Sequence, residues 1–86
     1  MRIAWSGMFN DAWSKLTSEE KQLSRKAMDK LVLDIRYPSL RVKKIQGAEG
    51  IWEARVSRSI RLTFEIAGNM IVLRNVGQHD ETLKNP

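Results

Sequence analysis

Trp52-Glu53-Ala54-Arg55-Val56-Ser57-Arg58-Ser59-Ile60-Arg61-Leu62-Thr63-Phe64-Glu65-Ile66 is the stretch that decides the fold. Apolar and polar residues alternate on both sides of Ser57-Arg58-Ser59. Trp52, Ala54 and Val56 precede that segment, and Ile60, Leu62, Phe64 and Ile66 follow it. Alternation with period 2 marks a strand with one buried face. The spacing therefore predicts two antiparallel strands joined by a three-residue loop. In that register Val56 meets Ile60, Ala54 meets Leu62, and Arg55 meets Arg61. Glu53, Arg55, Arg61, Thr63 and Glu65 then share the face turned away from the core. Two cations directly opposed weaken a hairpin by up to about 1 kcal/mol. An anion held between them reverses that sign, so Arg55 and Arg61 are a candidate phosphate clamp. The plainer alternative pairs the two arginines with Glu53 and Glu65 on a solvated face.

Toward the C-terminus, Gly68-Asn69 supplies a turn. Met70 to Val76 then reads as a further strand, more continuously apolar and hence central. Gly77 ends it, and residues 78–86 read as a polar tail. That tail carries the one histidine, His79, followed by Asp80 and Glu81. Imidazole exchanges protons near neutral pH without a large perturbation, and Asp80 or Glu81 is placed to orient it. A structural zinc is excluded, because no second His and no Cys exist to share the coordination.

Toward the N-terminus, Gln46 to Gly50 reads as a loop and Leu40 to Ile45 as a weak strand mixing apolar and basic residues. Pro38 disfavours helical geometry at Tyr37, so a preceding helix ends near Ile35 or Arg36. Its start is marked by Thr17-Ser18-Glu19-Glu20, a capping box. Leu23, Ala27, Leu31 and Ile35 form its apolar face, widened by Met28 and Val32. A shorter helix carries Phe9, Ala12, Trp13 and Leu16 on one stripe behind an N-cap at Ser6. Arg2 to Trp5 opens the chain as a short strand. Trp5, Trp13 and Trp52 all fall at core-phase positions and read as packing. The expected architecture is α+β: two N-terminal antiparallel helices packed on one face of a twisted, mainly antiparallel four- to five-stranded sheet.

At 86 residues the chain makes one domain, 1–86. The absence of Cys excludes disulfide scaffolds, thiolate nucleophiles and iron–sulfur sites. The N-terminal residues lack the pattern of a signal peptide, and no apolar run is long enough to span a bilayer, so the expected location is cytoplasmic and no membrane partner is expected. Fifteen Lys+Arg against ten Asp+Glu leave a net charge of +5. The whole excess lies in residues 36–61, where Arg36, Arg41, Lys43, Lys44, Arg55, Arg58 and Arg61 face only Glu49 and Glu53. So local an excess favours a polyanionic partner, since phosphate neutralisation releases counterions. A merely solvated basic surface is the alternative.

Four segments, in register, carry a resemblance: Pro38-Ser39-Leu40-Arg41-Val42-Lys43-Lys44-Ile45-Gln46-Gly47, Gly50-Ile51-Trp52-Glu53-Ala54-Arg55-Val56, Ile60-Arg61-Leu62-Thr63-Phe64, and Leu73-Arg74-Asn75-Val76-Gly77-Gln78-His79-Asp80. Together they resemble the RelE/ParE superfamily of type II toxin–antitoxin toxins. The likeness runs from about Met1 to Leu83. It implies a microbial RNase-like fold and, for the RelE-like branch, metal-independent cleavage of mRNA on the ribosome by attack of the 2′-hydroxyl on the adjacent phosphate. No cofactor is implied. The resemblance assigns Arg61, Arg55 and His79 to catalysis. Lys43 and Lys44 fall where relatives carry either a lysine or a glutamate base. By charge, Arg41, Lys43, Lys44 and Arg58 are RNA-binding candidates, and Glu53, Asp80 and Lys43 are acid/base or orienting candidates. The resemblance implies a cognate antitoxin, mRNA and the ribosome as partners, and a toxin–antitoxin heterotetramer as an assembly. The ParE-like branch implies instead a DNA gyrase inhibitor without catalysis. Two positions depart from the pattern: Ile60 replaces the usual aromatic before the arginine, and Leu83 stands where many relatives have a C-terminal Tyr.

Overall fold

The computed structural model describes all 86 residues. In chain order it contains β1 (Arg2–Trp5), α1 (Gly7–Ser14), α2 (Ser18–Leu33), a 3-10 turn (Pro38–Leu40), β2 (Lys43–Lys44), β3 (Trp52–Arg55), β4 (Ile60–Ala67), β5 (Met70–Gln78) and α3 (His79–Lys84). The five strands form one sheet in the order β1-β5-β4-β3-β2. Only the β1–β5 pair is parallel; the others are antiparallel. The α+β class is thus as the sequence implies.

Both N-terminal helices begin where their caps dictate. The Ser6 hydroxyl accepts a hydrogen bond from the Phe9 amide. Thr17 Oγ1 accepts one from the Glu20 amide, and Glu20 Oε1 accepts one from the Thr17 amide. This reciprocal box satisfies two otherwise orphaned donors, and such a cap contributes about 1 kcal/mol. The second helix ends at Leu33, slightly before the expected end near Ile35. Phe9 and Trp13 of α1, with Ala27, Met28 and Leu31 of α2, pack on Ala54, Leu62, Phe64, Ile71, Leu73 and Val76 of the sheet in a single core. The alternation that sets this face follows from period 2. Trp13 is buried within this core, whereas Trp5 remains 37% exposed, at the edge of an aromatic group with Phe9 and Trp13.

Two expectations need correction. The strand read over Leu40 to Ile45 narrows to the two-residue β2, because the 3-10 turn consumes Leu40 and Arg41 takes left-handed backbone angles (φ 46°, ψ 47°). The helices do not all share one sheet face. Residues 78–86, read as a polar tail, supply the last residue of β5 and then α3. This third helix lies on the opposite face. A Cβ at Gly77 would meet Thr82 Oγ1 of α3 at 3.1 Å, so Gly77 permits the close approach. Thr63 Oγ1 and Arg74 Nε both donate to the Pro86 carbonyl, which fastens the chain beyond α3 over β4 and β5. Thr63 and Thr82 are buried beneath this contact. No helix is long and apolar enough to cross a membrane.

Candidate functional site

The hairpin forms in the expected register: Ala54 pairs with Leu62, and Arg55 with Arg61. Arg61 in turn pairs with Gly77 on β5. Neighbouring positions across three strands thus read Arg55, Arg61, Gly77. Extending the Lys43–Glu53 pairing of β2 by two residues brings Arg41 beside Arg55. The absence of a side chain at Gly77 leaves the β5 end of this row to α3.

Arg61 is held rather than free. Its Nη1 donates to the carbonyls of Ser57 (2.7 Å), Ile60 (3.1 Å) and Arg58 (3.4 Å). Its Nε lies 4.0 Å from Glu53 Oε1. Burial comes first, then the charge of Arg55, in holding the Arg61 guanidinium below its ordinary value; Glu53 opposes this, and Arg41 adds to it. Three cations therefore act on one another over one end of the outer face. The mutual repulsion is a standing cost that an anion removes. The alternative in which both arginines are neutralised by Glu53 and Glu65 is not what forms. Glu65 Oε2 accepts from Arg74 Nη1 at 2.8 Å instead, and only Arg61 has a carboxylate within ion-pair reach. Arg74 is the outer-face cation that sequence reasoning passed over; the alternation along β5 is broken by an irregularity opposite Thr63/Phe64, which obscures its phase.

Glu53 is buried at 7% exposure, between Lys43 and Thr63 in register. It is the one carboxylate inside the arginine group. Lys43 shares its face. Lys44 does not: it pairs with Trp52, and its Nζ lies 5.3 Å from the centre of that ring, on the helix side. Arg58 is exposed at the hairpin tip.

His79 begins α3. Its amide donates to the Ser59 carbonyl at 2.8 Å, which carries the β4–β5 ladder one step past the Ile60–Gln78 pair. The backbone of the histidine is thereby fixed beside the hairpin loop, two residues from Arg61. Its Nδ1 is 2.9 Å from Asp80 Oδ1. That hydrogen bond, with the imidazole charge adding to it, holds the Asp80 carboxyl below its ordinary value. With Nδ1–H given to Asp80, Nε2 is left to exchange a proton with another group.

No protein-family model matches the sequence, and no curated protein is significantly similar to it. Solved structures are similar in shape. The RelB-RelE antitoxin–toxin complex from Methanococcus jannaschii superposes with a TM-score of 0.75 at 15% identity, over 96% of this chain and 99% of that one. A YoeB/ParE toxin from Agrobacterium tumefaciens gives a TM-score of 0.76 at 13% identity, over 92% and 99%. The DinJ-YafQ complex from E. coli gives 0.71 at 18% identity, over 94% and 97%. Element order, sheet and full-length overlap agree with these toxins, and the chain has the RelE-like toxin fold.

Proposed function

We propose that this protein is the toxin of a type II toxin–antitoxin system and cleaves mRNA, on the ribosome, without a metal. The observation that carries the reading is the Arg55–Arg61 pair, flanked by Arg41 and fixed by the hairpin loop. Two of its fold relatives, the RelB-RelE and DinJ-YafQ structures, are complexes, which supports a cognate antitoxin as partner.

The chemistry follows from the charges. The 2′-hydroxyl oxygen attacks phosphorus, and its proton passes to Glu53, the carboxylate among the arginines. The bond from phosphorus to the 5′-oxygen breaks, and that oxygen takes a proton from Nε2 of His79. The products are a 2′,3′-cyclic phosphate and a 5′-hydroxyl. Negative charge grows on the phosphoryl oxygens at the transition state, where Arg61 and Arg55 stabilise it. Asp80 orients the imidazole. Arg41, Lys43 and Arg58 guide the backbone of the strand, and Lys44 reaches it only around the β2 edge.

Removing one fixed donor of this kind lowers turnover by about 10²–10³-fold, and removing a general acid by about 10²–10⁴-fold. Arg61→Ala and His79→Ala should therefore each abolish detectable cleavage in a translation extract. The test maps 5′-hydroxyl ends on mRNA with and without ribosomes. Cleavage by both variants at the wild-type rate removes the nuclease reading.

A second reading is favoured by one observation: Arg61 spends Nη1 on three backbone carbonyls, those of Ser57 and Arg58 in the loop and of Ile60 at the start of β4. A guanidinium so committed suits a binding surface, as in a gyrase inhibitor. Inhibition of DNA supercoiling with mRNA left intact selects that reading.

A further inference from the structure

Three side chains on the outer face aim donors away from the sheet, and main-chain oxygens of the two residues after α3 meet all three. Thr63 Oγ1 and Arg74 Nε both donate to the Pro86 carbonyl, each at 3.0 Å. Asn75 Nδ2 donates to the Asn85 carbonyl at 2.9 Å. The Asn75 amide has a fixed orientation, because its Oδ1 accepts from the Val76 amide at 2.9 Å. Arg74 is steadied by Glu65: Nη1 donates to Glu65 Oε2 at 2.8 Å, while Nε turns to the oxygen that Thr63 also reaches. Thr63 is fully buried beneath this contact.

A hydroxyl and a guanidinium converging on one oxygen, with a carboxamide on the next, suit a phosphodiester as well as they suit a peptide. The set also lies beside the arginine row. Thr63 stands two residues beyond Arg61 on the same face of β4, a step of about 7 Å, and pairs with Asn75 of β5. A single strand held at Arg55 and Arg61 therefore comes to these donors one nucleotide further on. On its other side Thr63 pairs with Glu53, whose carboxylate repels an anion. The room for one is on the β5 side, where the Pro86 oxygen lies. Residues 85–86 are held there through their main chain, and no side-chain cap anchors the helix before them. A short segment fastened in this way opens locally at small cost.

We infer that Thr63, Arg74 and Asn75 form a second phosphate subsite, and that residues 85–86 mask it in the free protein, their carbonyl oxygens standing where phosphate oxygens go. RNA laid along β4 displaces this strap. The strap thus competes with RNA and lowers the affinity of the free protein for it. The inference rests on the reading that the outer face binds RNA, and adds to that reading three further contacts and a segment that must lift.

The test is fluorescence anisotropy with an uncleavable, 2′-deoxy-substituted oligouridine. It is added to the full chain and to a variant ending at Lys84, each also carrying Arg74→Gln or Arg61→Gln. A site open one-tenth of the time binds about tenfold more weakly than one always open. The shortened chain should therefore bind the oligouridine about tenfold more tightly than the full chain. Arg74→Gln should cancel that gain in the shortened chain and change the full chain's affinity by less. Arg61→Gln should weaken both lengths by the same factor and leave the effect of shortening intact. In the full chain, the Arg74 Nε–H and Asn75 side-chain amide resonances should move as the oligouridine is added and saturate with that of Arg61 Nε–H. If the shortened chain does not fold, these resonances decide alone. Equal or weaker affinity of a folded shortened chain overturns the proposal, as do Arg74 and Asn75 resonances that stay silent. In either case, binding that still depends on Arg61 leaves the nuclease reading standing. No binding to any form would remove the RNA reading and the subsite together.

Discussion

Arg55 and Arg61 face each other because the hairpin register admits nothing else: a slip by one residue would turn Ala54 and Leu62 outward. Their repulsion is thus imposed by the core and not by the site. Burial and the neighbouring arginines disfavour the Arg61 cation. Its folded value lies below the ordinary arginine value. The cost is accordingly present in full throughout the neutral range and is relieved only in strong alkali or by a bound anion. Arg55→Gln should therefore stabilise the free protein, by up to about 1 kcal/mol, as read by urea denaturation. The same change should shrink the stabilisation conferred by added inorganic phosphate. A variant less stable than wild type, with the phosphate response intact, would mean that Arg55 stabilises the hairpin and does not take part in anion binding. Asp80 works in the other sense. Its depressed carboxyl favours the paired, ionised form, so the hold on His79 is in place above the ordinary aspartate range and is lost as pH falls through the lower folded value. The juxtaposition of Arg55 and Arg61 was legible in the sequence because side-chain phase in a strand is fixed. The commitment of Arg61 to loop carbonyls was not, since it depends on the path of Ser57-Arg58-Ser59.

At the level of elements, the helices that announce themselves are those with caps. Thr17 and Glu20 fix the start of α2 through two backbone amides, and Ser6 does so for α1. The third helix has no side-chain cap hydrogen bond and six mostly polar residues, so nothing in its periodicity predicts it. Tertiary contacts hold it: Thr82 against Gly77, and the Pro86 carbonyl against Thr63 and Arg74. Gly77→Ala should accordingly loosen α3, because Thr82 is buried and has little room to withdraw. Amide exchange across residues 79–84 should rise, with the α2 amides unaffected. Thr82→Ala in the same chain should restore part of the protection by removing the atom that the new methyl meets. Unchanged exchange in Gly77→Ala would mean that α3 does not rest on β5.

For the molecule as a whole, the sheet divides the labour. One face is closed by α1 and α2 and forms the core; the other carries the cations, with α3 over its β5 side. The fold class was readable because alternation, caps and the turn at Gly68-Asn69 agree with one another. The covering of the second face was not, because it arises from contacts between residues distant in the chain. The concentration of charge sets how the protein should respond to salt. Each phosphate neutralised on single-stranded RNA contributes about −0.7 to the slope of log affinity against log salt; the arginines gripping one phosphate account for one such step, so the double variant Arg55→Gln/Arg61→Gln should reduce the slope's magnitude by about 0.7. A slope that does not change in that variant would place the RNA elsewhere. The most direct measurement follows the Nε–H resonances of Arg41, Arg55 and Arg61 while an uncleavable 2′-deoxy-substituted RNA oligonucleotide is added. All three should move together and saturate at one concentration, as they must if they grip a common phosphate. Movement of the Arg58 Nε–H resonance alone, with Arg55 and Arg61 silent, would contradict the account.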